Sequence, residues 1–208
     1  MNRNSYQSTM NELSASEGVF TTAQALRFGV PRNVVAKACE AGGLVRIAHG
    51  AYRMAGTSAS QLDDLVAIWK LTDPSKMTHE RMPVAAWDGV AVAGSTAASI
   101  LGIGDFYLSP YRILAPRRFG SRNTETRFGA RSIQRDDVSF VHGIPVTRTE
   151  RTLIDLVLDG EDPSLVQDAL SDARVKGLDE ERLEHLVSQT KASTKAKKTM
   201  ERLFERKE

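Results

Sequence analysis

The sequence predicts an α+β protein, and three observations carry the prediction. Residues 20–54, FTTAQALRFGVPRNVVAKACEAGGLVRIAHGAYRM, read as two short helices, a tight turn and a small hairpin in that order. Between residues 111 and 146, short runs rich in β-branched and aromatic residues alternate with turn-rich segments. From Thr149 onward, apolar residues recur at helical spacing. The first pattern is that of a winged helix-turn-helix; the other two describe a C-terminal domain with a small, mostly antiparallel sheet and flanking helices.

Taken in order, residues 5–17 place Tyr6, Met10 and Leu13 on one helical face, a first helix that packs under the next two. Thr21 or Thr22 is a good N-cap, and Gln24 stands three residues after Thr21 as in a capping box. Ala23, Ala25 and Leu26 carry that helix to Gly29, which stops it. Pro31 fixes φ and needs no amide donor, so a second helix starts there and runs to Ala41, before Gly42 and Gly43. Val34, Val35, Ala38 and Cys39 form its inward stripe. Arg32, Asn33, Ala36, Lys37 and Glu40 are left on the outer face, where Arg and Asn can make paired hydrogen bonds to base edges in a major groove. Residues 44–47 and 51–54 alternate apolar and polar around Ala48-His49-Gly50, with the glycine supplying positive φ for the loop. Arg46 and Arg53 are expected on one side of this wing and His49 at its tip, within reach of phosphates. Spacing alone leaves a second reading open, in which three small-residue helices merely pack and their surface cations are solvated.

The segment AGTSAS, residues 55–60, is small and polar, and places a boundary that divides the chain into 1–56, 57–190 and a basic helix or tail at 191–208. Leu62, Leu65, Val66, Ile68, Trp69 and Leu71 then give a helix over 60–72, with Trp69 in the core. Residues 76–93 are irregular. A helix capped at Ser95 and stopped by glycine follows; it lacks the spacing of a phosphate-binding loop. Strands are expected at 111–115, 127–133, 138–141 and from 144, and helices at 149–158, after Pro163 and after Asp179. Arg112, Arg117, Arg118, Arg122, Arg127, Arg131 and Arg135 lie along the strand region. Either they share a face and make a second basic surface, or they pair with the acids that follow.

With 41% apolar and 26% charged residues the composition is that of a globular chain with a core. No apolar run is long enough to span a bilayer and none resembles a signal peptide, so no membrane association and a cytoplasmic location are expected. The lone Cys39 fits a reducing compartment. The net charge of +2 hides an uneven distribution: residues 107–135 hold seven arginines against one acid, residues 136–190 five basic against thirteen acidic residues, and residues 191–208 seven basic against three acidic. The four histidines are scattered, and no H-E-x-x-H, G-x-S-x-G or paired C-x-x-C occurs. Neither enzyme chemistry nor a metal or other cofactor is expected.

The segment quoted above, GSTAASILGIGD further on, then YRILAPRR and finally VHGIPVTRTERTLIDLV together resemble, in order and spacing, the AbiEi family of antitoxins, over roughly residues 18–158. The resemblance implies a type IV toxin-antitoxin or phage-defence component. Its winged helix would bind inverted repeats in double-stranded DNA of its own promoter, with self-association on that DNA, and its C-terminal domain would counteract a nucleotidyltransferase toxin. Pro31-Arg32-Asn33 departs from the usual Ser or Thr cap of the second helix. No Asp followed by Glu-x-Lys closes the chain, which argues against the nuclease-fused relatives. A winged-helix protein-interaction scaffold, or a general transcriptional regulator without an antitoxin role, remains the alternative.

Overall fold

The computed structural model describes residues 3–120 and 123–204 and divides into two compact units. The first runs to Asp88 and includes His142–Ile144; the second comprises Gly89–Val141 and the chain from Pro145 onward. The expected boundary at 56/57 thus falls inside the first unit, because the helix after the 55–60 segment packs back onto the hairpin.

In the first unit α1 (Arg3–Glu17) leads into β1 (Phe20–Thr21), α2 (Thr22–Arg27), α3 (Arg32–Glu40), β2 (Leu44–Ala48), β3 (Ala51–Met54), α4 (Asp63–Leu71) and α5 (Thr78–Arg81). Thr21 is the N-cap of α2: its hydroxyl accepts from the Gln24 N–H and the Gln24 side chain accepts from the Thr21 N–H, so two orphan donors are satisfied reciprocally. Pro31 caps α3 through its fixed backbone, φ −65°, with no side-chain hydrogen bond. The strands order β1-β3-β2, all antiparallel. Met10, Leu13, Phe20, Val30, Val35 and Leu44 form the core under the three helices, while Val19, Ala51 and Ala67 join α4 to the hairpin.

A buried charge network closes this unit. Glu17 accepts hydrogen bonds from Lys70 Nζ, the Thr78 N–H at 3.1 Å and the Thr78 hydroxyl at 2.6 Å, with the Glu17 and Lys70 side chains 3% and 2% exposed. Burial favours the neutral forms of both groups: it pushes Lys70 down, whereas at Glu17 it is outweighed by hydrogen bonds from Lys70 and Thr78, which leave the carboxyl below its usual range. Arg81, also buried, stacks 3.8 Å from the Trp69 ring centre and bonds Asp88, Thr72 and the Trp69 carbonyl.

The second unit holds β4 (Ala91–Val92), α6 (Gly94–Leu101), β5 (Tyr111–Ala115), β6 (Thr126–Ala130), β7 (Val138–Val141), β8 (Ile144–Thr147), α7 (Thr149–Asp159), α8 (Pro163–Val175), α9 (Glu180–Gln189) and α10 (Thr194–Phe204). Its sheet has the order β6-β5-β4-β8-β7. It is mixed where a mostly antiparallel sheet was expected: β4 pairs antiparallel with β5, but β5–β6 and β4–β8 are parallel. Residues 116–125 return the chain so that β6 runs in the same direction as β5, and β4 takes its second partner from far along the chain. At the β7–β8 turn His142 and Gly143 have φ of 50° and 79°, the two positive values that a tight two-residue hairpin turn needs. α6 is capped by Ala93 and not by Ser95; the Thr96 hydroxyl bonds the Arg112 N–H and the Leu108 carbonyl, tying the helix start to β5. The helices α6 to α10 bury Ile103, Leu153, Leu156, Leu170, Leu183 and Phe204 in one cluster.

Candidate nucleic-acid interface

The apolar positions of α3 dictate what it shows. Val35 is buried, and Val34, Ala38 and Cys39 pack on the core, so the helix must turn Arg32, Asn33, Ala36, Lys37 and Glu40 outward, and all five are exposed. Among the described residues neither Arg32 nor Lys37 makes an ion pair. The hairpin adds Arg46 and His49, both exposed at the end of β2. Arg46 Nη2 lies 2.5 Å from His49 Nδ1, the guanidinium donating and the ring nitrogen accepting.

Arg53 corrects the sequence expectation. It faces Val45 across the ladder while Arg46 faces Tyr52, and directly opposed residues share a sheet face, so the two arginines lie on opposite faces. Arg53 is 8% exposed; its Nε lies 3.0 Å from Asp63 Oδ2, and its Nη1 donates to the carbonyls of Met54 and Thr57. This guanidinium anchors α4 to the hairpin and offers nothing to a phosphate. The sequence held a signal for it: Asp63 and Asp64 sit in the first turn of the following helix, where a carboxylate is favoured and can collect a cation.

Two members of the second arginine group, Arg112 and Arg131, are drawn into internal ion pairs. Arg112 pairs with Asp159, Nε to Oδ2 2.6 Å and Nη2 to Oδ1 2.7 Å, while Arg131 bridges Asp155, at 2.9 Å, and Asp159. Arg151 reaches the same Asp155 at 3.1 Å, the i,i+4 pair that the sequence spacing allows. Burial pushes the fully enclosed Asp155 carboxyl up against the pull of Arg151 and Arg131, and pushes both Arg112 and Arg131 down. Two glycines make room for this lattice: a Cβ at Gly129 would lie 2.6 Å from Arg112 Nη1, and one at Gly94 2.9 Å from Asp159 Oδ2. Arg135 lies over Phe140 and Arg117 over Phe119, at 4.9 and 4.6 Å from the ring centres. Arg118 and Arg127 are exposed, and Arg122 lies outside the described residues. For Arg112 and Arg131 the structure therefore favours internal pairing with the acids of α7.

Three exposed cations and an asparagine on one short helix and an adjoining hairpin can hold a polyanion and present hydrogen-bonding groups to it, the chemistry of a nucleic-acid regulator. Residues 8–55, the segment that builds this surface, match the family described as transcriptional regulator, AbiEi antitoxin, which bears out the resemblance over that segment. The fold as a whole is similar to the crystal structure of the Rv2827c protein from Mycobacterium tuberculosis, with a TM-score of 0.60 and 18% identity over 96% of this chain and 76% of that one. No curated protein matches the sequence. Among the described residues no helix is long and apolar enough to cross a membrane.

Proposed function

We propose that the protein is a sequence-specific DNA-binding repressor of its own operon that also acts as the antitoxin to a nucleotidyltransferase toxin. In this reading α1 to β3 form a winged helix-turn-helix, α3 is the recognition helix, and the hairpin is the wing. Arg32 and Asn33 meet base edges, Lys37 approaches bases or phosphate, and Arg46 and His49 grip the backbone. The one observation that carries the reading is the outer face of α3, exposed and with cations that make no ion pair among the described residues, in the segment that matches the regulator family. Binding to inverted repeats places two copies on one operator, and the second unit supplies the antitoxin role, in a cytoplasmic type IV system of phage defence. The scaffold alternative leaned on uncompensated charge blocks, and the internal pairing of Arg112 and Arg131 weakens that motive.

Fluorescence anisotropy with the protein's own upstream region against a scrambled duplex tests the proposal. The upstream region should bind tighter, and Arg32→Ala should relax discrimination at one base position by roughly 1–3 kcal/mol. Equal affinity of the wild type for both duplexes sinks it. Co-expression with the product of the adjacent gene tests the antitoxin half: that product should inhibit growth as a nucleotidyltransferase, and the full chain should restore it.

A further inference from the structure

The last helix carries a surface that the α3 interface does not use. Residues 191–204 hold five cations, Lys191, Lys195, Lys197, Lys198 and Arg202, against the single acid Glu201. All five are exposed, and among the described residues none of them makes an ion pair. Helical geometry groups three of them: Lys195, Lys198 and Arg202 fall at i, i+3 and i+7, one stripe along α10. The opposite side is spent, because Met200, Leu203 and Phe204 are buried in the core of their own unit.

We infer that this stripe is a second binding surface for duplex DNA, one that grips the phosphate backbone without reading sequence. At a rise of about 1.5 Å per residue, Lys195 to Arg202 spans about 10 Å, the length over which one DNA strand presents about three phosphates. The chemistry disfavours the other polyanionic surfaces. An acidic protein partner needs an apolar or aromatic anchor at the centre of its interface, where lysine is depleted, and α10 has no apolar side chain left to offer. A lipid surface needs an apolar helix face free to insert, and that face is occupied. Backbone binding needs only charge, and charge is what the helix exposes. The inference does not depend on recognition by α3, since it concerns affinity for any duplex.

The test compares the full chain with Lys195→Ala/Lys198→Ala/Arg202→Ala on two duplexes, the upstream region and its scrambled counterpart, measuring Kd by anisotropy from 50 to 200 mM NaCl. Three lost phosphate contacts should flatten the slope of log Kd against log salt by about 2.7, so the wild type should lose about 40-fold more affinity than the variant over that range. The change should appear equally on both duplexes and leave their affinity ratio intact. The charge-keeping variant Lys195→Arg/Lys198→Arg should retain the wild-type slope, and circular dichroism should report the same helix content for all three proteins. An unchanged slope in the alanine variant overturns the inference even if the upstream region is still preferred. A flattened slope with no preference between duplexes upholds it while removing the repressor reading. An unchanged slope accompanied by binding to an acidic partner protein that the alanine variant loses also overturns it, and assigns the stripe to that partner.

Discussion

Single side chains decide how the first unit uses its charges. Because Arg53 is enclosed with Asp63 and two carbonyls, Arg53→Ala should cost stability, about 2 to 3 kcal/mol by urea denaturation, since Asp63 and the carbonyls lose their partner. In the still-folded fraction the salt slope of DNA binding should not move, whereas it should flatten for Arg46→Ala; a flattened slope in Arg53→Ala would show that the guanidinium reaches phosphate after all. Glu80 gives a pH prediction. The Arg27 guanidinium grips its carboxylate at 2.6 and 2.9 Å and the Met77 N–H donates at 2.7 Å, together holding the carboxyl down to about 2 from an ordinary 4.5. A depressed carboxylate stabilises the fold above its unfolded pKa and ceases to do so as it takes up a proton. The contribution is therefore whole above about pH 4.5 and fades as pH falls towards 2. Glu80→Gln should have a lower urea midpoint than wild type at pH 7, and the two midpoints should converge between pH 4.5 and 2.

Between elements, the pairing of Glu17 with Lys70 ties the end of α1 to α4 across 53 positions of sequence, with Thr78 at the head of α5 completing it. Lys70→Ala leaves a buried carboxylate with Thr78 and the Gln24 amide at 3.5 Å but no counter-charge, and should cost about 3 to 5 kcal/mol. Glu17→Met with Lys70→Met should recover most of that loss, since an apolar pair of similar volume avoids desolvating two ions. A denaturation double-mutant cycle measures the coupling, and additive losses would mean the pair does not act as a unit. This contact also marks where sequence reading stopped. Elements set by local signals were legible: the box formed by Thr21 and Gln24, the start of α3 at Pro31, the outer face from Arg32 to Glu40, and Gly160 in the left-handed conformation that ends α7. The matched family segment, residues 8–55, holds all of these but Gly160. What was not legible depends on partners far along the chain. The side of the hairpin that Arg53 takes follows from its pairing register with Val45, which includes an irregularity between Arg46 and Ala48. The parallel pairings of β6 and β8 are fixed by neighbours that no local pattern names, and the burial of Lys70 and Arg81 reads as surface charge until Glu17 and Asp88 are found beside them.

At the scale of the molecule, the question is how much chain the candidate DNA-binding surface needs in order to exist. The segment 1–56 contains α1 to β3 and the residues matched to the regulator family, yet it leaves out every group that α4 and α5 contribute. Cut there, Glu17 loses Lys70 and Thr78, Arg53 loses Asp63, and Val19 and Ala51 lose Ala67. Two buried ions would be stranded and part of the hairpin's apolar surface exposed, in a fragment with a small core to begin with. Residues 1–88 restore all of these, together with the stacking of Arg81 on Trp69 and its pairing with Asp88. The expected outcome is that 1–88 gives a dispersed proton–nitrogen NMR spectrum and a cooperative thermal transition, while 1–56 gives neither. If 1–56 folded as well as 1–88, the charge network would be an accessory to the fold of α1 to β3, and α4 would belong by function to the second part of the chain. If only 1–88 folds, any assay of DNA recognition on an isolated fragment must carry the chain through Asp88, and a failure of 1–56 to bind would report unfolding and not the absence of a DNA site.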